Sequence, residues 1–93
     1  MKKNIERMSD DAVSQLAEIG QLIRQHRKSF KITANAAAET AGISRVTLHR
    51  IEKGEPTVSM GAYLNVMSAL DLSLHLSAKG DVGYDASRNR VGQ

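Results

Sequence analysis

The sequence predicts an all-α domain, a compact bundle of four to five short helices, followed by one short C-terminal β-strand. Three observations carry this reading. Apolar residues recur at spacings of three and four between residues 9 and 70, three of these runs open on a serine or threonine, and period-two alternation occurs once, at Leu72, Leu74 and Leu76. Ninety-three residues suit one small domain with a single core. With no cysteine, neither disulfides nor thiolate-bound metals can hold it together.

The first helix is expected from the Ser9 cap to about Lys28. Asp10 and Asp11 follow the capping hydroxyl, where the positive end of the helix dipole favours them. Ala12, Leu16, Ile19 and Ile23 mark its buried face, and Gly20 weakens it. "SFKIT" breaks the pattern, and Thr33 caps a short second helix, "ANAAAETA", ending at Ala41. Its alanines give it a thin profile that lets neighbouring backbones come close, with Phe30 expected to fill the remaining space.

Gly42 stands just past that helix, where a left-handed conformation requires a residue without Cβ. Ser44 then caps a third helix running to Lys53, and the three-residue turn between the two helices forces a steep crossing. Pro56 stops any continuation. A fourth helix is expected from Ser59 to Leu70, with Met60, Tyr63 or Leu64, Met67 and Leu70 on one face. In "DLSLHLS" the three leucines alternate with Ser73, His75 and Ser77, and a lone strand has no sheet of its own to join. Pairing with the same strand of a second copy about a two-fold axis satisfies it; the alternatives are an extended segment packed along its own domain or an apolar extension of the fourth helix.

The formal charge is +3, unevenly spread: −1 over residues 1–20, +5 over 21–53, −2 over 54–78 and +1 over 79–93. The basic middle favours a polyanionic partner. In the third helix, Leu48 and Ile51 are the core anchors. Taking Leu48 as the origin, Arg45, His49, Lys53, Val46 and Arg50 lie at about 60°, 100°, 140°, 160° and 200°. The far face thus presents cations, an imidazole and one exposed valine.

That combination suits the major groove of DNA. Arginine forks onto guanine O6 and N7, and an apolar side chain touches the thymine methyl. Thr47, Lys53 and the basic residues of the first helix suit phosphates. Glu52, about 40° from Leu48, points toward the core side and needs a cation.

The segment "RKSFKITANAAAETAGISRVTLHRIEKGE" resembles the lambda-repressor-like (XRE or Cro/C1-type) helix-turn-helix family. Thr33, Ala38, Gly42, Ile43, Ser44, Thr47, Leu48, Ile51, Glu52 and Gly54 match its pattern across residues 18 to 72. The resemblance implies a lambda-repressor-like bundle that binds double-stranded operator DNA as a homodimer, with the third helix in the major groove. It implies Arg45, Val46, His49 and Arg50 as base readers, with Thr33, Ser44 and Thr47 on phosphates beside Lys53, Lys31 and Arg24. A structural ion pair between Arg27 and Glu52 is implied too. Two positions depart from the family: Ala34 stands where a phosphate-binding Gln is usual, and Ala37 where Leu is usual.

"VSMGAYLNVMSALDLSLHLSAKG" resembles the C-terminal part of HipB-type antitoxins, which implies autoregulation and a HipA-like kinase toxin as a partner. The division is then a flexible N-terminus (1–8), a helix-turn-helix DNA-binding domain (9–70), a dimerisation strand (71–78, through Leu72, Leu74 and Leu76) and a mobile tail (79–93). The rival reading is a protein-interaction module that keeps the fold but reads little DNA.

Enzymatic activity is not expected, since His26, His49 and His75 are scattered and Ser44 is explained as a cap. No catalytic residue, cofactor or metal ligand is assigned. "MKKNIERMSDD" lacks the apolar stretch of a secretory signal, and no apolar run is long enough for a membrane, so a cytoplasmic protein without a membrane partner is expected.

Overall fold

The computed structural model describes residues 7–79. Among them are four helices: α1 (Asp10–Ser29), α2 (Ala34–Ala41), α3 (Arg45–Glu52) and α4 (Met60–Ala69). α1 lies against α3, and α2 packs on both α3 and α4. The expected flexible start and mobile tail fall almost entirely on residues 1–6 and 80–93, outside the described residues.

Each helix starts and stops by the same devices. Ser9, Thr33, Ser44 and Ser59 adopt extended backbone, and each hydroxyl accepts from the amide three residues on, at 3.0–3.1 Å. Just past the four C-termini stand Lys31, Gly42, Gly54 and Asp71, all with φ between 58° and 77°. The following amides, of Ile32, Ile43, Glu55 and Leu72, donate back to Arg27, Ala38, Arg50 and Met67. This is the Schellman closure, which satisfies the last carbonyls of each helix.

The core is Ile23 from α1, Ala37 and Ala38 from α2, Leu48 and Ile51 from α3, and Tyr63, Val66, Met67 and Leu70 from α4 and its cap. Gly20 has a packing role: a Cβ there would lie 2.5 Å from the Ile51 carbonyl oxygen. At the same crossing a Cβ on Gly54 would lie 2.7 Å from the Cα of Ala17, so α1 and the end of α3 meet backbone to backbone.

Three expectations are corrected. Phe30 does not fill the space beside the alanine helix. It is the C-cap residue of α1, 66% exposed, with its ring against His26. The small Ala37 and Ala38 let α4 itself close that space. On α4, Tyr63 rather than Leu64 is buried, and Met60 is exposed.

The third correction concerns residues 71–78, where no strand is formed among the described residues. A single strand in one chain has no edge to bond, and the segment instead lies along its own domain. Leu72 packs against the core, Leu74 lines an apolar groove between α1 and α4, and Leu76 points outward. Lys79 then pairs with Asp11 at the start of α1, holding the Asp11 carboxyl below its ordinary range through hydrogen bonding and charge. No helix among the described residues is long and apolar enough to cross a membrane.

Candidate nucleic-acid interface

α3 has only eight residues, too few to be stable alone, so its orientation depends on what pins it. Leu48 and Ile51 are almost fully buried on its inner side. Glu52 adds a polar pin. Its carboxylate accepts from Arg27 Nε at 2.8 Å and from the same guanidinium at 3.2 Å, in a bidentate fork. Both side chains are withdrawn from water, at 12% exposure for Arg27 and 6% for Glu52. Arg27 also donates to the Ile32 carbonyl at 2.9 Å, tying the α1–α2 loop into the same cluster. Arg24 stands 3.8 Å from the same carboxylate but remains half exposed.

The outer side of α3 presents the groups a groove reader uses. Arg45, Val46 and His49 are all exposed, Val46 at 68%. They border an open concavity of ≈ 470 Å³ between α1, α2 and α3, whose other walls are Arg24, Arg27, Ala34, Leu48 and Glu52. Ala34 contributes only a methyl group at the start of α2. The hollow is polar along the α1 side, where Arg24 reaches over it, and apolar at Val46.

The phosphate candidates divide into two groups. The Thr33 and Ser44 hydroxyls are engaged as caps, and Ser44 also donates to Thr47 Oγ1 at 3.0 Å, which leaves the Thr47 proton for an outside acceptor. Lys31, Lys53 and Arg24 are exposed; Arg24 lines the concavity beside α3, and Lys31 has left-handed backbone just after α1.

Arg50 stands apart from the other helix-face residues. Its Nε donates to Glu55 at 3.0 Å and a terminal nitrogen donates to Thr57 at 2.9 Å. The guanidinium therefore faces the α3–α4 loop instead of joining Arg45 and His49. Periodicity placed Arg50 on the outer face correctly as an angle but carried no information about the loop that folds back onto it. The five-residue spacing from Arg50 to Glu55 across Gly54 was the available signal.

A second surface was not singled out from sequence. Leu16, Ile19, Val58, Met60, Leu64 and Leu74 line an almost wholly apolar groove of ≈ 240 Å³ on the α1–α4 side. Among the described residues no group of His, Asp or Glu is placed to hold a metal ion.

A short capped helix, a glycine turn and a second capped helix with an outward cationic and apolar face define the helix-turn-helix class. A family model described as a helix-turn-helix domain matches residues 18–79. The chain is 32% identical over 65 residues to an uncharacterized HTH-type transcriptional regulator, y4mF, of Sinorhizobium fredii, covering 70% of this chain and 86% of that one. It is 37% identical over 70 residues to the HTH-type transcriptional regulator SinR of Bacillus licheniformis, covering 72% of this chain but only 63% of SinR. The chain belongs to the helix-turn-helix family of transcriptional regulators, which are DNA-binding proteins and not enzymes.

Among solved structures, the restriction-modification controller protein C.AhdI from Aeromonas hydrophila superposes with a TM-score of 0.57 at 27% identity, over 64% of this chain and 91% of that one. HipB(S29A) in a complex with an O2 20mer superposes with a TM-score of 0.65 at 14% identity, over 82% of this chain and 99% of that one. A chain of a HipA-HipB-O2-O3 complex gives the same score at 15% identity, over 81% of this chain and 99% of that one. These last two likenesses show a shared fold.

Proposed function

We propose that the protein is a sequence-specific transcriptional repressor that binds double-stranded operator DNA as a homodimer, with α3 in the major groove. The observation that carries the reading is the division of α3. Leu48, Ile51 and Glu52 fix the helix from its inner side and Arg50 ties its end to the loop, while Arg45, Val46 and His49 stand outside with no hydrogen bond or ion pair from their side chains among the described residues. The exposed Val46 offers an apolar contact that a thymine methyl in the major groove would match. Arg45 and His49 are the hydrogen-bonding base readers, and Arg50, engaged by the loop, is left out of that set. Thr47, Lys53, Lys31 and Arg24 contact phosphates, with Thr33 and Ser44 supporting them as caps.

One feature supports the homodimer: the apolar α1–α4 groove bordered by Leu16, Ile19, Met60, Leu64 and Leu74 is open at the surface, with the exposed Leu76 just beyond it. A homodimer of this class presents two α3 helices to half-sites about one helical turn apart. The resemblance to HipB-type antitoxins, with the shared fold, supports a finer role: autoregulation of its own operon and neutralisation of a HipA-like kinase toxin, in the cytoplasm.

The test is selection from a randomised duplex pool, followed by titration of the enriched sequence and a scrambled control at two salt concentrations. A palindromic consensus bound with cooperative stoichiometry of two chains supports the reading. Equal affinity for both duplexes refutes it. Co-purification with the product of an adjacent kinase-like reading frame tests the antitoxin role.

A further inference from the structure

We infer that Arg50 is a positioning residue, clasping the α3–α4 loop so that Arg45, Val46 and His49 are presented in one fixed pose; the inference rests on the DNA-reading role proposed above. Arg50 is the sixth of eight helix residues, whereas in helix-turn-helix proteins it is the N-terminal part of the recognition helix that meets base edges. A half-exposed ion pair alone is a weak fastener, but here the contacts converge. Arg50 holds Glu55 twice, through the carboxylate and by accepting the Glu55 amide at 3.0 Å, and holds Thr57 as well. From the other side, the buried Tyr63 hydroxyl donates to the Glu55 carbonyl at 2.8 Å.

Glu55 thus joins the end of α3 to the middle of α4, with its amide, carbonyl and carboxylate all engaged. Two consequences follow for recognition. The Arg50 charge is matched by Glu55, so the outward cations left on this face among the described residues are Arg45 and Lys53, with His49 between them. The loop after α3 is also fixed, and with it the angle at which the short helix leaves the core. Swinging Arg50 out to a guanine would leave Glu55 without its cation and Thr57 without its donor.

The test compares R50A, E55A and the double variant. A latch requires both partners, so both single variants should lower the ratio of affinities for consensus and scrambled duplex to a similar degree, and the double variant no further. The consensus selected from a randomised duplex pool should keep every position in all three. If Arg50 reads a base, R50A alone should erase the preference at one base pair, by about five-fold or more, while E55A leaves it intact or sharper; that outcome overturns the inference. Melting without DNA separates this from the failure of the DNA-reading role. Each single variant should melt a few degrees lower and the double variant should show no added loss, whereas strictly additive shifts would refute the latch even if no consensus exists.

Discussion

Two glycines inside helices make opposite predictions from the same substitution. In isolation, glycine to alanine in a helix favours folding by about 0.5–1 kcal/mol, because alanine has less backbone freedom to lose. At Gly61, near the start of α4, a new Cβ would meet only the Ser59 hydroxyl at 3.8 Å. Gly61→Ala should therefore realise the gain, and with about 4–8 °C per kcal/mol for a domain this small, melting should rise by about 2–8 °C. At Gly20 the Cβ would lie 2.5 Å from the Ile51 carbonyl oxygen, 2.8 Å from that of Glu52 and 2.9 Å from the Gly54 nitrogen. All three are backbone atoms, so no side chain can rotate away, and α1 must retreat from α3 by most of an ångström.

Overpacking of this kind costs about 1–3 kcal/mol, and here it also loosens Ile23 and Ile51 on either side of the crossing. The upper part of that range outweighs the propensity gain, giving a net loss near 2 kcal/mol and a melting point lower by about 8–16 °C. Calorimetry or circular dichroism melts of the two variants beside the parent would measure both shifts. A Gly20→Ala protein as stable as Gly61→Ala would refute the close backbone crossing.

Other outcomes follow from single side chains. Glu52→Gln leaves the buried Arg27 without its counter-charge and should cost about 3 kcal/mol, read as a melting point lower by more than about 10 °C; an unchanged curve would mean that the fork does not hold α3. Burial, and then the charge of Glu55, raise the Tyr63 pKa above 10.0. The unfolded chain therefore loses this proton first, and the Tyr63 contribution is complete below about pH 10 and fades as pH rises through the folded value. Tyr63→Phe should be less stable at neutral pH and show a shallower alkaline decline; parallel declines for both proteins would rule this out.

The helix boundaries were legible in the sequence because the determinants are local. Ser9, Thr33 and Ser44 act within three residues of themselves, and Gly42 is left-handed because its neighbours force that turn. Lys31 and Asp71, which take the same conformation without being glycine, carried no such signal. The inward and outward faces of α3 were legible too, since Leu48 and Ile51 sit a helical turn apart opposite Val46. What periodicity could not supply were contacts set by chain reversal: the clasp of Arg50 on Glu55, the choice between strand pairing and seating along the same domain for residues 72–79, and the close approach that explains Gly20. Phe30 departs from its expected burial for a related reason: hydrophobicity alone favours the interior, but the residue caps α1, where its side chain is exposed.

The distribution of constraints over α3 bears on how such a protein changes its target. Leu48 and Ile51 are fixed by the core, Glu52 by Arg27, Gly54 by its approach to Ala17, and Arg50 by the loop. Among the described residues the side chains of Arg45, Val46 and His49 make no hydrogen bond or ion pair and stay exposed, so replacing them should alter stability by no more than about 0.5 kcal/mol. The same replacements change the donors and methyl groups offered to base edges, each worth about 1–3 kcal/mol of discrimination. Target choice and folding are therefore carried by different residues of one eight-residue helix. A set of substitutions at 45, 46 and 49 should produce proteins of nearly equal melting temperature with different selected consensus sequences. If instead Val46→Glu unfolded the domain, or if the selected sequence stayed constant across the set, the division of labour within α3 would be wrong.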